Sequence, residues 1–305
     1  MTPDKYTIEE QKLSVGDGHT LYVQLWGNKN ADEAILFLHG GPGGSCSDKH
    51  KTLFDPSRQK VIFFDQRGSG NSTPKGSLKA NDTDHLVEDI NKITEALGIK
   101  KFAITGGSWG SCLALVYAIR HQEKVTRMVL RGIFTARKSE MDYLEKGHFM
   151  ALFPDVWEEY INRTPEKYRS NPTAYHASKM LGSDKKAAKL SAYAYSELEG
   201  ALISIDDRYT PENYEDFDPS STIIECYYME NNCFLPENYI MDNASKLTMP
   251  IKLVQGRYDV VCPAFGAYDL SKKLPNGELF LTSAGHIGFD RPNWDLVKAL
   301  LQVKS

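Results

Sequence analysis

One serine lies in a sequence context typical of a catalytic nucleophile. Residues 106–110 read Gly-Gly-Ser-Trp-Gly, which matches the pattern G-x-S-x-G with Ser108 at its centre. A short apolar run at 102–105 precedes the motif, and an apolar segment from Ser111 to Arg120 follows it. A strand, a tight turn and a helix in this order predict a nucleophile elbow, where the serine sits on a strained turn. The bare pattern can arise by chance, so the interpretation depends on this context.

A serine hydroxyl is a weak nucleophile and needs a histidine base that an acid holds in place. After such an elbow, the acid and then the histidine follow along the chain. Asp259 follows the apolar run 251–255, and His286 follows the next apolar run. Both are therefore expected at the carboxyl ends of strands, where ligands bind parallel sheets. Asp269 and Asp290 are alternative acids, and a lone histidine can also be an ordinary core or surface residue.

Acyl transfer also requires hydrogen-bond donors for the oxyanion of the transition state. The backbone N–H of Trp109, the residue after the candidate nucleophile, is one expected donor. Gly41 is expected to supply the second, because His-Gly-Gly-Pro-Gly-Gly at 39–44 follows the apolar run 34–38. A glycine run can alternatively cradle phosphate, but this one lacks the Lys-Ser/Thr ending of a phosphate-binding loop.

Composition and charge exclude several classes of protein. The 305 residues are 41% hydrophobic and 25% charged, which excludes a disordered or collagen-like chain. The apolar run 34–38 is far shorter than the ~20 residues of a membrane span. A net charge of −4 without a basic cluster argues against a nucleic-acid partner.

The cysteines and the N-terminal segment predict a cytoplasmic protein. Five cysteines, an odd number without metal-ligand spacing, are typical of reduced thiols. The N-terminal segment is polar and has no apolar signal core. A disulfide between Cys226 and Cys233 is the alternative. The sequence does not indicate the oligomeric state.

Hydrophobic periodicity predicts the elements that position these residues. Alternation predicts half-buried strands at 7–15 and 21–26, and short apolar runs predict buried strands at 34–38, 61–64, 102–105, 125–130, 251–255 and 278–282. Helices are predicted at 84–97, with Thr83 as N-cap and Gly98 as stop, at 112–120 and at 293–302. This alternation predicts an α/β fold with a mainly parallel central sheet flanked by helices.

The strand–helix alternation stops after about residue 135 and resumes near residue 245. The segment between is predicted to be helical and is rich in aromatic residues. We therefore expect a first part of the core at 1–135, a helical cap insertion at 136–244, and a second part of the core at 245–305.

Together these motifs resemble those of the proline iminopeptidases (prolyl aminopeptidases) of the α/β-hydrolase superfamily. The segments that carry the resemblance are His-Gly-Gly-Pro-Gly (39–43), Asp-Gln-Arg-Gly-Ser-Gly (65–70), Gly-Gly-Ser-Trp-Gly-Ser (106–111), Leu-Arg-Gly-Ile-Phe (130–134), Gly-Arg-Tyr-Asp (256–259) and Ser-Ala-Gly-His (283–286). The resemblance implies the α/β-hydrolase fold with a helical cap. It also implies a serine peptidase that forms an acyl-enzyme and releases proline from short peptides with a free N-terminal proline. Neither cofactor nor metal is implied, and neither nucleic acid nor a membrane is an expected partner.

The resemblance further implies residues that bind the substrate. Glu199 and Glu225 match the cap glutamates that hold the substrate's amino group, while Phe134 and Cys262 match positions lining the proline pocket. An N-terminal proline is a secondary ammonium, and a desolvated cation needs a paired negative charge. Without the resemblance, both glutamates can be ordinary solvated helix residues. The positions that depart from the family pattern are Tyr195, Leu198, Cys226 and Met229.

Other interpretations stay open. Another capped hydrolase, acting on esters, amides or carbon–carbon bonds, can use the same triad, whereas a dehalogenase or epoxide hydrolase needs Asp at position 108. A non-enzymatic receptor can keep the fold, although the elbow and glycine loop are intact. Asp65 and Arg67 either support the oxyanion loop or form a structural ion pair, so neither belongs to the predicted catalytic set.

Overall fold

The computed structural model describes residues 4–205, 209–211 and 213–303, so a few residues of the three predicted domain ranges lie outside it. Eight strands form one sheet in the order β1-β2-β4-β3-β5-β6-β7-β8. In chain order they are Thr7–Gly16, His19–Gly27, Ala34–Leu38, Lys60–Phe64, Phe102–Ser108, Val125–Ile133, Ile251–Gly256 and Gly277–Thr282. The pairs β1–β2 and β2–β4 are antiparallel, and the other neighbouring pairs are parallel. The predicted mainly parallel sheet is therefore confirmed.

Helices that lie before and after the predicted cap segment along the chain cover the sheet. They are α1 (Asp48–Lys51), α2 (Thr83–Ala96), α3 (Trp109–Arg120), α10 (Ala264–Ser271) and α11 (Arg291–Gln302). The prediction that Thr83 caps α2 is wrong, because the Asp82 carboxylate accepts the His85 N–H at 3.0 Å. Thr83 lies inside the first turn, and its hydroxyl donates to the Cys233 carbonyl at 2.6 Å. Gly98 follows the helix with φ +65°, as a stop residue should.

The described part of the chain between β6 and β7 contains helices joined by loops, and no strand. Its helices are α4 (Lys138–Glu145), α5 (Pro154–Asn162), α6 (Pro172–Met180), α7 (Lys185–Leu202), α8 (Ser220–Glu230) and α9 (Tyr239–Asn243), with short 3₁₀ turns between them. We call these six helices the cap helices. An apolar cluster lies among them, which includes Tyr160 of α5, Leu198 of α7 and Phe149 of the 3₁₀ turn before α5. The division into core and cap domains stays a prediction.

The carboxyl ends of the parallel strands meet at one edge of the sheet. The residues placed there by β3, β4, β5, β7 and β8 are, respectively, His39, Gln66, Ser108, Asp259 and His286. All five cysteines are free, so the alternative disulfide between Cys226 and Cys233 is not formed. Within the described ranges, no helix combines the length and the apolar character needed to cross a membrane.

Candidate active site

Ser108 lies at the junction of β5 and α3 in a strained backbone conformation. Its φ of 56° and ψ of −128° fall where residues other than glycine are rare. A Cβ on Gly106 would lie 2.8 Å from the Gly110 carbonyl oxygen, and one on Gly110 would overlap the Leu38 carbonyl. The tight turn therefore depends on both glycines of the motif.

His286 and Asp259 form a hydrogen-bonded pair. The imidazole Nδ1 lies 2.9 Å from Asp259 Oδ2, and the two residues are 7% and 4% exposed. An Nδ1–H that donates to the carboxylate leaves Nε2 unprotonated and able to accept a proton. The alternative acids have other partners: Asp269 accepts from Arg137, and Asp290 accepts from the Gly285 N–H.

The side-chain amide of Gln255, a buried residue on β7, holds the histidine–aspartate pair in place. Gln255 Nε2 donates to Asp259 Oδ2 at 3.2 Å and to the Cys262 carbonyl at 2.8 Å, while its Oε1 accepts the Ile133 N–H at 2.7 Å. Ile133 is also the partner of Ser108 in the sheet register. Gln255 therefore connects the acid to the strand that flanks the nucleophile.

Gly132 connects the elbow to the histidine–aspartate pair across β6. A Cβ on this glycine would lie 3.4 Å from His286 Cε1 and 3.7 Å from Asp259 Oδ2. The neighbouring residue, Ile133, pairs with Ser108. The structure thus brings the three predicted triad residues to one place at the sheet edge, where their catalytic roles stay predictions.

Both predicted oxyanion donors lie close to Ser108: Trp109 follows it in the chain, and Gly41 lines the same cavity. Gly41 has φ +110°, and a Cβ there would lie 2.7 Å from the backbone nitrogens of Gly43 and Gly44. Trp109 is the first residue of α3, where backbone N–H groups have no partner within the helix. The partial positive charge of a helix N-terminus favours an anion at such a position.

One cavity joins the elbow to the cap helices. Its lining contains six of the predicted site residues, namely Gly41, Ser108, Phe134, Glu199, Glu225 and Cys262. Apolar side chains form much of the remaining wall, among them Met141, Leu144, Met180 and Val261. Burial raises the pKa of the Cys262 thiol well above its ordinary value, and a hydrogen bond with Ser108 offsets part of the rise. A neutral thiol is an apolar wall element rather than a second nucleophile.

Glu199 and Glu225 form a carboxyl pair in this cavity. Burial raises the pKa of Glu199, and the nearby His286 and a hydrogen bond with Glu225 partly oppose the rise. Burial, followed by the charge of Glu199, raises the pKa of Glu225 well above its ordinary value. A hydrogen bond between two carboxyl groups requires a proton on one of them. The hydrogen-bonded pair therefore carries one proton and one negative charge.

The four departures from the family pattern have different positions. Tyr195, Cys226 and Met229 line the cavity, where they determine its shape beside the carboxyl pair. Leu198 is 4% exposed and packs in the apolar cluster of the cap helices. Three of the four departures therefore bear on which substrate fits.

Arg67 is a structural residue. Its guanidinium binds both oxygens of the buried Asp89 at 2.7 and 2.9 Å, and it also pairs with Asp17 at 3.3 Å. Asp65 has separate partners, since its carboxylate accepts the Cys46 and Asn71 N–H groups. Of the two interpretations, the structure favours a structural ion pair, but the partner of Arg67 is Asp89 rather than Asp65.

Arg131, within the segment 130–134, had no assigned role in the sequence. Its guanidinium lies between Gly107 and Gly288, and a Cβ on Gly107 would come within 2.5 Å of it. Its Nη1 donates to the His286 carbonyl at 3.1 Å. Burial lowers the pKa of Arg131, and the negative charge of Asp259 opposes this. In the sequence, only its place in the segment 130–134, beside Gly132, indicated that Arg131 could belong to the site. Its partners could not be predicted, because they are distant along the chain.

Known proteins with the α/β-hydrolase fold are similar to this chain. A family model described as alpha/beta hydrolase fold matches residues 33–291. The proline iminopeptidase of Arabidopsis thaliana is 40% identical over 291 residues, which are 90% of this chain and 74% of that protein. The proline iminopeptidase of Xanthomonas citri is 39% identical over 307 residues, 97% of each chain. Among solved structures, the enol-lactonase from Burkholderia xenovorans LB400 superposes with a TM-score of 0.66 at 15% identity, covering 94% of this chain and 97% of that one.

Proposed function

Because the chain belongs to the proline iminopeptidase family of α/β hydrolases, we propose that it releases an N-terminal proline from peptides through an acyl-enzyme on Ser108. The fold and the family expected from the sequence motifs are confirmed. The roles of individual residues in the following steps are part of the proposal.

The observation that carries the proposal is the carboxyl pair in the cavity that Ser108 lines. A prolyl N-terminus is a secondary ammonium with two N–H donors, one for each of Glu199 and Glu225. Burying this cation requires a paired negative charge, which the two glutamates supply. An N-acylated proline has no N–H to donate and no positive charge, so it would leave the negative charge of the carboxyl pair without a cationic partner. The arrangement therefore supports selection for a free amino terminus.

In the acylation step, Ser108 Oγ attacks the prolyl carbonyl carbon while His286 Nε2 takes the hydroxyl proton. Asp259 accepts the Nδ1–H throughout and stabilises the imidazolium. The N–H groups of Gly41 and Trp109 bind the oxyanion, and each such donor contributes about 10²–10³ in rate. His286 then gives its proton to the departing amine, and the C–N bond breaks to leave a prolyl ester.

In the deacylation step, water replaces the amine. His286 Nε2 takes one proton from water, the resulting hydroxide attacks the ester carbonyl, and the same N–H groups bind the second oxyanion. Collapse breaks the bond to Ser108, whose oxygen recovers the proton. Proline leaves with a carboxylate and its ammonium still opposite Glu199 and Glu225. No metal or cofactor takes part in these steps.

We also propose that the partners are short peptides and that the protein acts in the cytoplasm, without nucleic-acid or membrane partners. The free cysteines are consistent with a reducing compartment.

A variant set tests the assignment of roles. Ser108→Ala should abolish release of a chromophoric amine from an L-prolyl amide and leave the melting temperature unchanged. Glu199→Gln and Glu225→Gln should each reduce kcat/KM for that amide by about 10–100-fold, since a buried charge partner is lost. Turnover of an uncharged acetyl ester should fall far less in both. Equal losses on amide and ester would contradict the role of the glutamates and favour an esterase.

A further inference from the structure

One buried glutamine touches both sides of the proposed oxyanion hole. Gln66, directly after β4, is 2% exposed. Its Oε1 accepts the indole N–H of Trp109 at 2.9 Å, and its Nε2 donates to the His39 carbonyl at 3.0 Å. His39 opens the glycine loop that contains Gly41, and Trp109 follows the nucleophile. A single amide side chain therefore spans the two segments that carry the proposed donors.

The His39 ring extends this connection to the peptide group that contains the Gly41 N–H. Gln66 donates its backbone N–H to His39 Nε2 at 3.0 Å, so Nε2 has no proton and Nδ1 carries it. Nδ1 lies 2.9 Å from the Gly40 carbonyl oxygen, to which it donates. Burial lowers the pKa of His39, which keeps the ring in this neutral form. The ring can therefore accept from Gln66 and donate to Gly40 at the same time.

Fixing the Gly40 carbonyl also fixes the Gly41 N–H. The two groups belong to one planar trans peptide and point in opposite directions. The Gly44 N–H binds the same carbonyl from the other end of the loop, at 3.2 Å. A rotation of this peptide would break both hydrogen bonds and would reorient the proposed oxyanion donor.

We propose that Gln66 is a positioning residue for hydrolysis, which holds the Gly41 and Trp109 donors at a fixed separation through His39 and the Trp109 indole. The inference rests on the proposed function only in taking these N–H groups as the oxyanion donors. A positioning role of this kind affects the transition state, because only there does the carbonyl oxygen become an anion.

The test is the variant Gln66→Met, which keeps the length and volume of the side chain and removes its polar atoms. We expect kcat for an L-prolyl anilide to fall about 10–100-fold, part of the effect of losing one oxyanion donor. The KM for the anilide and the affinity for L-proline should stay at the parent values. The affinity for a prolyl boronic acid, whose serine adduct places an oxygen in the hole, should fall by the same factor as kcat.

Gln24→Met is the matched control. Gln24 lies on β2 of the same sheet, is 6% exposed and binds Thr7 Oγ1 at 3.1 Å, outside the site. It should lower the melting temperature without changing kcat or boronic acid affinity. If both variants lose kcat equally, or if Gln66→Met keeps the parent kcat and boronic acid affinity, the proposal is overturned.

A second variant and a second substrate keep the result decisive. If Gln66→Met does not fold, Trp109→Phe replaces it as the test. This variant removes the indole N–H but keeps the backbone N–H, so it breaks half of the connection and should give a smaller loss of kcat. Parent kcat in Trp109→Phe would then contradict the proposal.

Hydrolysis of an acetyl ester needs the oxyanion hole and not the recognition of proline. A protein without proline release, but with ester turnover that depends on Gln66, would refute the proposed function and support this inference.

Discussion

At the scale of single residues, the hydrogen bond between Glu199 and Glu225 places one proton on this carboxyl pair. A substrate ammonium supplies a positive charge between the two carboxyl groups. It can therefore replace the proton that reduces their mutual repulsion in the free protein. Binding of a free prolyl N-terminus should therefore release a proton from the pair. It follows that substrate affinity depends on pH through the carboxyl pair.

Glu225→Gln should remove this dependence. For the parent, kcat/KM on a prolyl amide should fall as pH drops through the raised pKa of Glu225, because the protonated pair binds a cation poorly. The variant should lack this decline and have a lower plateau. Profiles of kcat/KM against pH for amide and acetyl ester, measured side by side, check this, and a decline of equal size for the ester would contradict it.

The same variant should be more stable. Since the pKa of Glu225 is raised in the folded protein above its ordinary 4.5, its protonated form stabilises the fold below that pH. This contribution is lost as pH rises through the folded-state pKa. Glu225→Gln should thus melt at the parent temperature near pH 4.5 and about 2–4 °C higher at pH 8, an effect of about 1 kcal/mol. Calorimetry at the two pH values measures this, and equal melting temperatures at pH 8 would count against the buried pair.

Arg131 places a positive charge beside the catalytic pair. Arg131→Met removes the hydrogen bond from Arg131 Nη1 to the His286 carbonyl, so the loop that carries the histidine loses a buried anchor. The kcat for an acetyl ester, measured at one fixed pH, should fall by about 10-fold or more. Arg131→Lys keeps a charged donor at this position and should restore part of the kcat.

The matched control for that measurement is Arg127→Met. Arg127 lies on the same strand, β6, and pairs with Glu33 at 3.0 Å at the end far from the site. The control should leave kcat at the parent value. An equal loss of kcat in both variants would show a general charge effect and would refute the specific role of Arg131.

At the scale of elements, the site depends on how closely β3, β5 and α3 approach one another. The Leu38 carbonyl occupies the space that a Cβ on Gly110 would need, so even alanine cannot enter without moving backbone. The elbow is consequently built by contact between a helix start and the neighbouring strand. Its glycines serve packing as well as backbone conformation.

Gly110→Ala should therefore destabilise the protein by about 3 kcal/mol or more, because overpacking here meets backbone atoms rather than a flexible side chain. Gly182→Ala, at the exposed end of α6, is the control and should change stability by less than about 1 kcal/mol. Chemical unfolding of both variants measures the difference. Similar stabilities would mean that β3 and α3 are less tightly packed than the structure indicates.

Much of the fold follows from periodicity, because the parallel strands are continuous apolar runs and α2 has a clear apolar stripe. The helix α10 was not predicted, since its eight residues give too short a pattern. The order of Ser108, Asp259 and His286 along the chain led to the histidine–aspartate pair. The roles of Gln66 and Gln255 could not be found this way, because a buried amide is defined by partners distant in sequence.

At the scale of the whole molecule, two parts of the chain supply two kinds of chemistry. The sheet edge carries the elbow, the histidine–aspartate pair and the glycine loop, which suit acyl transfer in general. The cap helices α7 and α8 carry Glu199 and Glu225, which suit a cationic N-terminus. A backbone hydrogen bond of 2.7 Å from the Ile287 N–H to the Ile203 carbonyl joins the end of α7 to the loop of His286. The segments that we propose for substrate selection and for catalysis are therefore in direct contact.

These separate roles of the cap helices and the sheet edge predict that kcat/KM depends more on the amino terminus of the substrate than on the bond that is cleaved. The most direct measurement compares release of a chromophoric amine from L-prolyl anilide and from its N-acetylated form by the parent protein. We predict rapid, saturable release from the free form and at least about 10²-fold lower kcat/KM for the blocked form, as expected when a buried charge pair is lost. Equal or faster cleavage of the blocked compound would contradict the proposed function.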